Sequence, residues 1–294
     1  MPDPDIHVDE AIVRSLIDDQ CPDLARLTLH HFASGFDNSV WRIGDELVGR
    51  FPRREVAVAL LENELKWLPL LFERLPLAVP RPVRVGRASL DFPYPWSIAR
   101  WFDGAPAYGA ALTRPHATAR LLARFMSALH SSAPPDAPYN LFRSVPLHSR
   151  VDAFEERVSV LSGGVGEPGL RGIWDRALDA APWERAPSWI HGDLHPMNLV
   201  VENGELAAVL DFGDLCAGDP ATYVACAWML LPSDAVGTLL GAYANTDSAL
   251  ESRALGWAAL FGLMFLEIGR EGPAAYARMG ARTLESVLAY ASAA

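Results

Sequence analysis

The chain has 294 residues, with 25 Lys+Arg against 36 Asp+Glu and a formal net charge of −11. Half of the residues are hydrophobic and 21 % are charged, an ordinary globular composition that excludes a disordered or fibrous chain. The acidic balance argues against a protein that grips nucleic acid through its phosphates. The length suits two domains, or one large domain in two lobes. The three cysteines (Cys21, Cys216, Cys226) lack CxxC spacing and read as buried thiols in a reducing cytoplasm rather than as a redox or metal site. The first residues hold no basic segment followed by an apolar core, and no apolar run approaches the roughly 20 residues that span a bilayer. A cytoplasmic protein without a membrane partner is therefore expected, with its oligomeric state left open. Lys66 is the only lysine, so any lysine role elsewhere must fall to an arginine.

Val8, Ile12, Val13 and Leu16 recur at helical spacing and predict a helix over 8–18. Three short β-type runs follow, at Leu27–Phe32, Ser39–Ile43 and Glu46–Phe51, with Gly44-Asp45 as the tight turn between the last two. Pro52 ends the third run, and Val56–Phe72 predicts a helix closed by a proline-rich stretch. Strands at Arg81–Val85 and Tyr94–Phe102 complete a five-stranded sheet with one long helix. Beyond residue 112 the pattern is helical: Ala117–Ser131, then 150–162 and 170–181, and three or four more helices after a β-type interlude at 187–212. The expected division is 1–97, a hinge at 98–104, and 105–294.

The informative stretch is WIHGDLHPMNLVVENGELAAVLDFGDLCAGDP, residues 189–220. Asn203-Gly204 between two apolar runs is a strong signal for a two-residue hairpin turn. That turn pairs Asn198 with Val209, and Asp211, two residues on, shares Asn198's face. Such diagonal neighbours lie roughly 7–8 Å apart, close enough for an amide oxygen and a carboxylate to hold one hard cation such as Mg²⁺. Upstream, His191-x-Asp193 with Asn198 five residues after the aspartate has the HxDxxxxN spacing of the protein-kinase catalytic loop, and Asp211-Phe212-Gly213 its metal-binding triplet. Phosphoryl transfer needs an aspartate at the attacking hydroxyl and metal ions across the phosphates rather than covalent help.

HGDLHPMN with VLDFGDLCAGDP resembles the aminoglycoside phosphotransferase and choline-kinase-like family. SGFDNSVWRIGDELVGRFPRRE, SIARWFDG and the ALH at 128–130 extend the likeness over essentially the whole chain. The resemblance implies an α+β, bilobal protein-kinase-like fold, with a small N-terminal lobe (a five-stranded antiparallel sheet and one long helix) and a larger, mostly helical C-terminal lobe. It implies an ATP-dependent enzyme, GTP being the other candidate nucleotide, that moves a phosphoryl group to a hydroxyl of a small molecule. Asp193 would orient or deprotonate that hydroxyl, Asn198 and Asp211 would hold Mg²⁺, and His191 would brace the loop. The backbone near Ala99 and Trp101 would receive the adenine, with Ser39 in the first hairpin also at the nucleotide. The third-strand lysine of protein kinases corresponds to Arg50, with Glu64 as its ion partner and Glu62 as the alternative; Arg50, Arg53 and Arg54 also read as solvated edge charges. There is no GxGxxG, and Tyr223 stands where relatives carry an acidic residue.

His195 reads as a local cap or as a substrate contact, and Asp214 as loop structure or as an acceptor or metal contact. Asp219-Pro220 reads as a helix start. Two other classes use the same residues: a zinc hydrolase with His191, Asp193 and His195 as ligands, and a catalytically dead nucleotide-binding scaffold. Residues 188–251 hold nine acidic residues and no Lys or Arg. If unpaired, those acids create a negative field that favours an amine-bearing acceptor such as an aminoglycoside, consistent with antibiotic inactivation. Trp228, Met229, Trp257, Phe261 and Phe265 allow a second version, a bulky apolar antibiotic such as a macrolide, and also read as ordinary core.

Overall fold

The structure is a computed structural model and describes residues 3–161 and 166–293. The chain divides into two compact units. The first holds the residues up to Glu73, Ala78–Asp103 and, from far along the chain, Val209–Asp214; the second holds Arg74–Leu77, Gly104–Ala208 and Leu215 onward. One boundary between them falls after Asp103. The return of residues 209–214 to the first unit was not anticipated.

In the first unit, helix α1 (Glu10–Gln20) starts at Asp9, whose side chain accepts from the Ile12 amide. It lays Val13, Leu16 and Ile17 onto a core with Trp41, Ile43, Phe51, Trp96 and Ile98. Those five come from an antiparallel sheet of β1 (Leu29–Ser34), β2 (Asn38–Ile43), β3 (Leu47–Pro52), β4 (Pro82–Gly86) and β5 (Trp96–Arg100), in the order β1-β2-β3-β5-β4. The Trp96 indole lies so close to Gly86 that a Cβ there would sit 1.9 Å from it. Helix α2 (Val56–Trp67) is shorter than the spacing predicts, continuing as two 3₁₀ turns up to Arg74.

The β2–β3 connection corrects the sequence reading. The turn spans residues 44–46, so Ile43 pairs with Leu47 and Val40 pairs with Arg50. A two-residue turn at Gly44-Asp45 would have set Ser39 opposite Arg50 instead. A slip of one residue moves every side chain to the other face.

The second unit contains β6 (Ala105–Pro106), α3 (Pro115–Leu129), α4 (Val151–Leu161), α5 (Glu167–Asp179), β7 (Ser188–Ile190), β8 (Leu199–Glu202), the greater part of β9 (Glu205–Val209) and β10 (Cys216–Gly218). Helices α6 (Ala221–Val224), α7 (Cys226–Leu230), α8 (Ser233–Ala242), α9 (Ser248–Glu271) and α10 (Ala274–Ala293) follow. Residue 162, the expected end of α4, lies outside the described residues. Helix α9 is long and apolar enough to cross a membrane by length and composition, but 72 % of its apolar window is buried within the protein. It is the axis of the unit, packed by α4, α5, α6 and α10. Strand β7 pairs with β10 (Ile190 with Cys216), and β6 pairs with β8 (Ala105 with Val201). Residues 191–198 are thus suspended between two paired strands.

The β8–β9 turn has the conformation its dipeptide predicts, with φ 51° at Asn203 and 78° at Gly204, as a type I′ turn requires. At Gly204 a Cβ would also meet the Thr113 side chain at 2.3 Å. Gly204→Ala is expected to cost about 1–2 kcal/mol from left-handed backbone alone, read as a lowered urea midpoint at unchanged slope.

Candidate active site

In the first unit the site is built on Arg50. Strand β3 turns Arg50, Val48 and their partners Ser97 and Ala99 to one face of the sheet. There the Arg50 Nη1 donates to both oxygens of Glu64, at 2.7 and 2.8 Å, and Nη2 donates to Asp211 Oδ1 at 3.2 Å. Glu64 on α2 is 3 % exposed, and its Oε2 also accepts from the Phe212 amide at 2.9 Å. A carboxylate this buried requires the pairing. Burial would lower the Arg50 pKa; the adjacent carboxylates of Glu64 and Asp211 outweigh it and raise it further. Glu62, the alternative partner, is exposed. Asp211 has φ 60°, an unusual conformation for a non-glycine residue that concentrates at functional sites. Its neighbour Gly213 packs under Leu60, its carbonyl accepting from Asn63 Nδ2 at 2.7 Å.

In the second unit the site is the loop 191–198. Asp193 Oδ2 lies 3.3 Å from His195 Nε2 and Oδ1 lies 3.8 Å from Arg143 Nη2. The Asp193 amide donates to His191 Nδ1 at 3.3 Å. Asn198 Nδ2 donates to the Asp193 carbonyl at 2.9 Å and to Oδ2 at 3.3 Å, which turns its amide oxygen the other way. Arg143 itself is fixed by donating to the Gly192 carbonyl at 2.9 Å and by stacking over the Phe261 ring at 4.7 Å. Burial would raise the Asp193 pKa; the charge and hydrogen bond of His195, with Arg143 and His191, instead hold it well below the usual carboxylate range. The sequence reading missed Arg143, because its place beside Asp193 comes from a loop with no pattern of its own.

Behind the loop, the Tyr223 ring stacks on His191 (centroids 6.2 Å apart, planes at 11°) and meets His130 edge-on at 5.0 Å. An aromatic contact therefore occupies the place where an acid was expected. Burial lifts the Tyr223 hydroxyl pKa well above its ordinary value.

The geometry corrects the expectation for Ser39 and locates the other candidates. Ser39 is buried on the α1 side of the sheet, opposite Arg50, with its hydroxyl accepting from Trp41 Nε1. Trp101 takes the Arg42 guanidinium over its ring at 4.6 Å and donates to Asp103, while Ala99 lies on the Arg50 face. His195 caps the 3₁₀ turn Pro196–Asn198, its Nδ1 accepting from the Met197 amide. Asp214 is half-buried in the first unit with Asp211. Arg53 and Arg54 are not free edge charges: they donate to the carbonyls of Gly35 and Phe36, and Arg54 pairs with Asp37. Among the described residues no three His, Cys, Asp or Glu side chains are arranged to hold a metal, and His195 is engaged as a cap, which removes the footing of the zinc reading.

Most acids of residues 188–251 also have partners. Asp211 pairs with Arg50, Glu205 with Arg114, Asp219 with Arg253, and Asp234 with His116. Asp247 caps α9, and Glu251 accepts from Tyr290. The cations all lie outside the sequence window. The negative charge left uncompensated is therefore smaller than the sequence window alone shows.

This fold is that of a protein-kinase-like phosphotransferase. The chain belongs to the phosphotransferase enzyme family, whose model matches residues 28–261. Its structure is similar to the GDP complex of aminoglycoside 2′-phosphotransferase-IIIa, at 19 % identity and TM-score 0.69 over 96 % of this chain and 99 % of that one. It is similar to macrolide 2′-phosphotransferase MphH from Brachybacterium faecium, at 21 % identity and TM-score 0.61 over 93 % and 97 %. A third similar structure is the streptomycin–ATP–APH(2″)-IIa ternary complex, at 18 % identity and TM-score 0.62 over 91 % and 93 %. Among curated proteins no sequence matches significantly.

Burial pushes the His130 pKa down to about 3. An unfolded histidine titrates near 6.5, so acidification protonates the unfolded chain first and destabilises the fold. Between pH 6.5 and pH 5 the loss from this group is expected to be about 2 kcal/mol, and His130→Phe should lack that component in urea unfolding at the two pH values.

Proposed function

We propose that the chain transfers the γ-phosphoryl group of ATP to a hydroxyl of a small molecule, with Asp193 as the group that orients and accepts the hydroxyl proton. The observation that carries this is the setting of Asp193: an ionised carboxylate lining a recess, held from three sides by His195, Arg143 and Asn198. A carboxylate kept charged and fixed in direction can position a weakly acidic hydroxyl for attack. The alternative of a dead scaffold is disfavoured by the same setting.

Arg50 would contact the nucleotide phosphates, its orientation set by Glu64. The backbone near Ala99 and Trp101 would receive the purine. GTP is the second candidate, since similar structures were crystallised with GDP as well as with ATP. Asn198 and Asp211 would hold Mg²⁺. They fit it chemically: Asp211 presents a half-exposed carboxylate and Asn198 an amide oxygen turned away from Asp193, both hard donors. When bound, Mg²⁺ would neutralise charge on the β- and γ-phosphates.

Asp193→Asn is expected to keep ATP binding and lower acceptor phosphorylation by ~10²–10⁴-fold. The check is a panel of hydroxyl compounds with ATP and Mg²⁺, reading phosphorylated product by mass; a near wild-type rate would remove Asp193 from the reaction. Arg50→Lys is expected to weaken ATP binding roughly tenfold, because one ammonium cannot reproduce the two-armed bridge to Glu64 and Asp211. Calorimetric titration of ATP into both proteins measures it.

A further inference from the structure

The acceptor's chemistry can be narrowed, on the reading that Asp193 orients the reacting hydroxyl. Within the second unit a cavity of about 240 Å³ adjoins the catalytic loop. Its walls include Tyr108, Leu112, Pro196, Met229, Met279 and Arg282. Met229 also lines the recess of about 10 Å³ that contains Asp193, Arg143 and His195. The two spaces thus share a wall, and the Tyr108 amide ties the cavity to the loop by donating to the Pro196 carbonyl at 3.1 Å.

The lining is one-sided in charge. Apart from Tyr108 and Arg282 every lining side chain is apolar, and no carboxylate is among them. Arg278, one helical turn before Arg282 on α10, donates to the Tyr108 hydroxyl at 2.7 Å and stands 6.0 Å from its ring centroid. Residues four apart share a helix face, so two solvent-exposed guanidinium groups, Arg282 in the lining and Arg278 beside it, mark the mouth of the cavity on this side. Among the described residues neither forms an ion pair with a carboxylate. An ammonium group placed here would meet like charge and no counter-charge. A carboxylate or phosphate would meet a fork of donors suited to it. The volume is below the roughly 300–1,000 Å³ typical of pockets for drug-sized ligands, which favours a small molecule over a macrolide.

We infer that the acceptor is a small hydroxylated acid, whose apolar body fills this cavity and whose anionic group meets Arg282 and Arg278. This is the reverse of the cationic acceptor that the charge count of the sequence suggested.

The test is equilibrium binding of three matched probes to the full chain: hydroxyoctanoate, octanediol and amino-octanol. Hydroxyoctanoate is expected to bind roughly five- to tenfold tighter than octanediol, the scale of one charge-assisted contact, and amino-octanol weakest. In the doubly substituted R278Q/R282Q protein that advantage should vanish while octanediol binds unchanged, which also shows that the cavity is intact. The inference is overturned if amino-octanol binds best, if the carboxylate advantage survives the substitutions, or if none of the three binds. ATP titration of the same samples reports on the phosphotransferase reading separately. A chain that binds hydroxyoctanoate but no nucleotide keeps the hydroxy-acid site and loses the kinase reading.

Discussion

The buried guanidinium of Arg50 is the constraint on which the first unit's functional geometry rests. It stands in a strand, yet its two arms fix residues from two other parts of the chain: Glu64 on α2, and Asp211 from 161 residues away. Glu64 in turn receives the Phe212 amide, so one charge cluster orders the helix, the strand and the incoming segment together. Neither Arg50 nor Glu64 can be removed cheaply, because the one that remains is a largely buried charge without its main partner. That is why residues 209–214 belong with the first unit although the sequence places them deep in the second.

What was legible in the sequence was local. The Asn203-Gly204 turn and the loop spacing from His191 to Asn198 follow from short-range chemistry, a dipeptide's dihedral preference and a fixed residue count, whereas the Arg50–Glu64 pair followed from the family resemblance. Ser39 shows the limit. Its assignment to the nucleotide depends on strand parity, and parity depends on whether the turn holds two residues or three. Gly44-Asp45 looks like a complete turn by composition, but Glu46 is part of it. The alternation of Trp41 and Ile43 with Ser39 was the available signal that all three face the core.

Charge was the least legible property, since a count along the chain sees acids but not what folds against them. Arg114, Arg253 and Arg50 are distant in sequence and neutralise three of the acids that looked unopposed. Arg143 was hidden for the same reason. Its loop has no periodicity, and only the tertiary fold sets its guanidinium on Gly192 and beside Asp193. Electrostatic inference from a one-dimensional window therefore errs in both directions, overstating a field and overlooking a cation.

The near-absence of lysine has a consequence of its own. Arginines here serve as caps for backbone oxygens that regular structure leaves unpaired: Arg14 on Ala25 and Leu27, Arg53 on Gly35, Arg54 on Phe36, Arg143 on Gly192, Arg253 on Ala181. A planar fork can grip a carbonyl while another arm holds a carboxylate, which an ammonium on a flexible stem does less well. The connecting segments of this protein are thus held by guanidinium–carbonyl bonds. A guanidinium salt in solution presents the same chemical group to the same oxygens and competes for them directly, whereas urea carries no such charge. Both denaturants solvate backbone carbonyls, but only the salt also competes for the carboxylates that Arg54, Arg143 and Arg253 hold with their other arms.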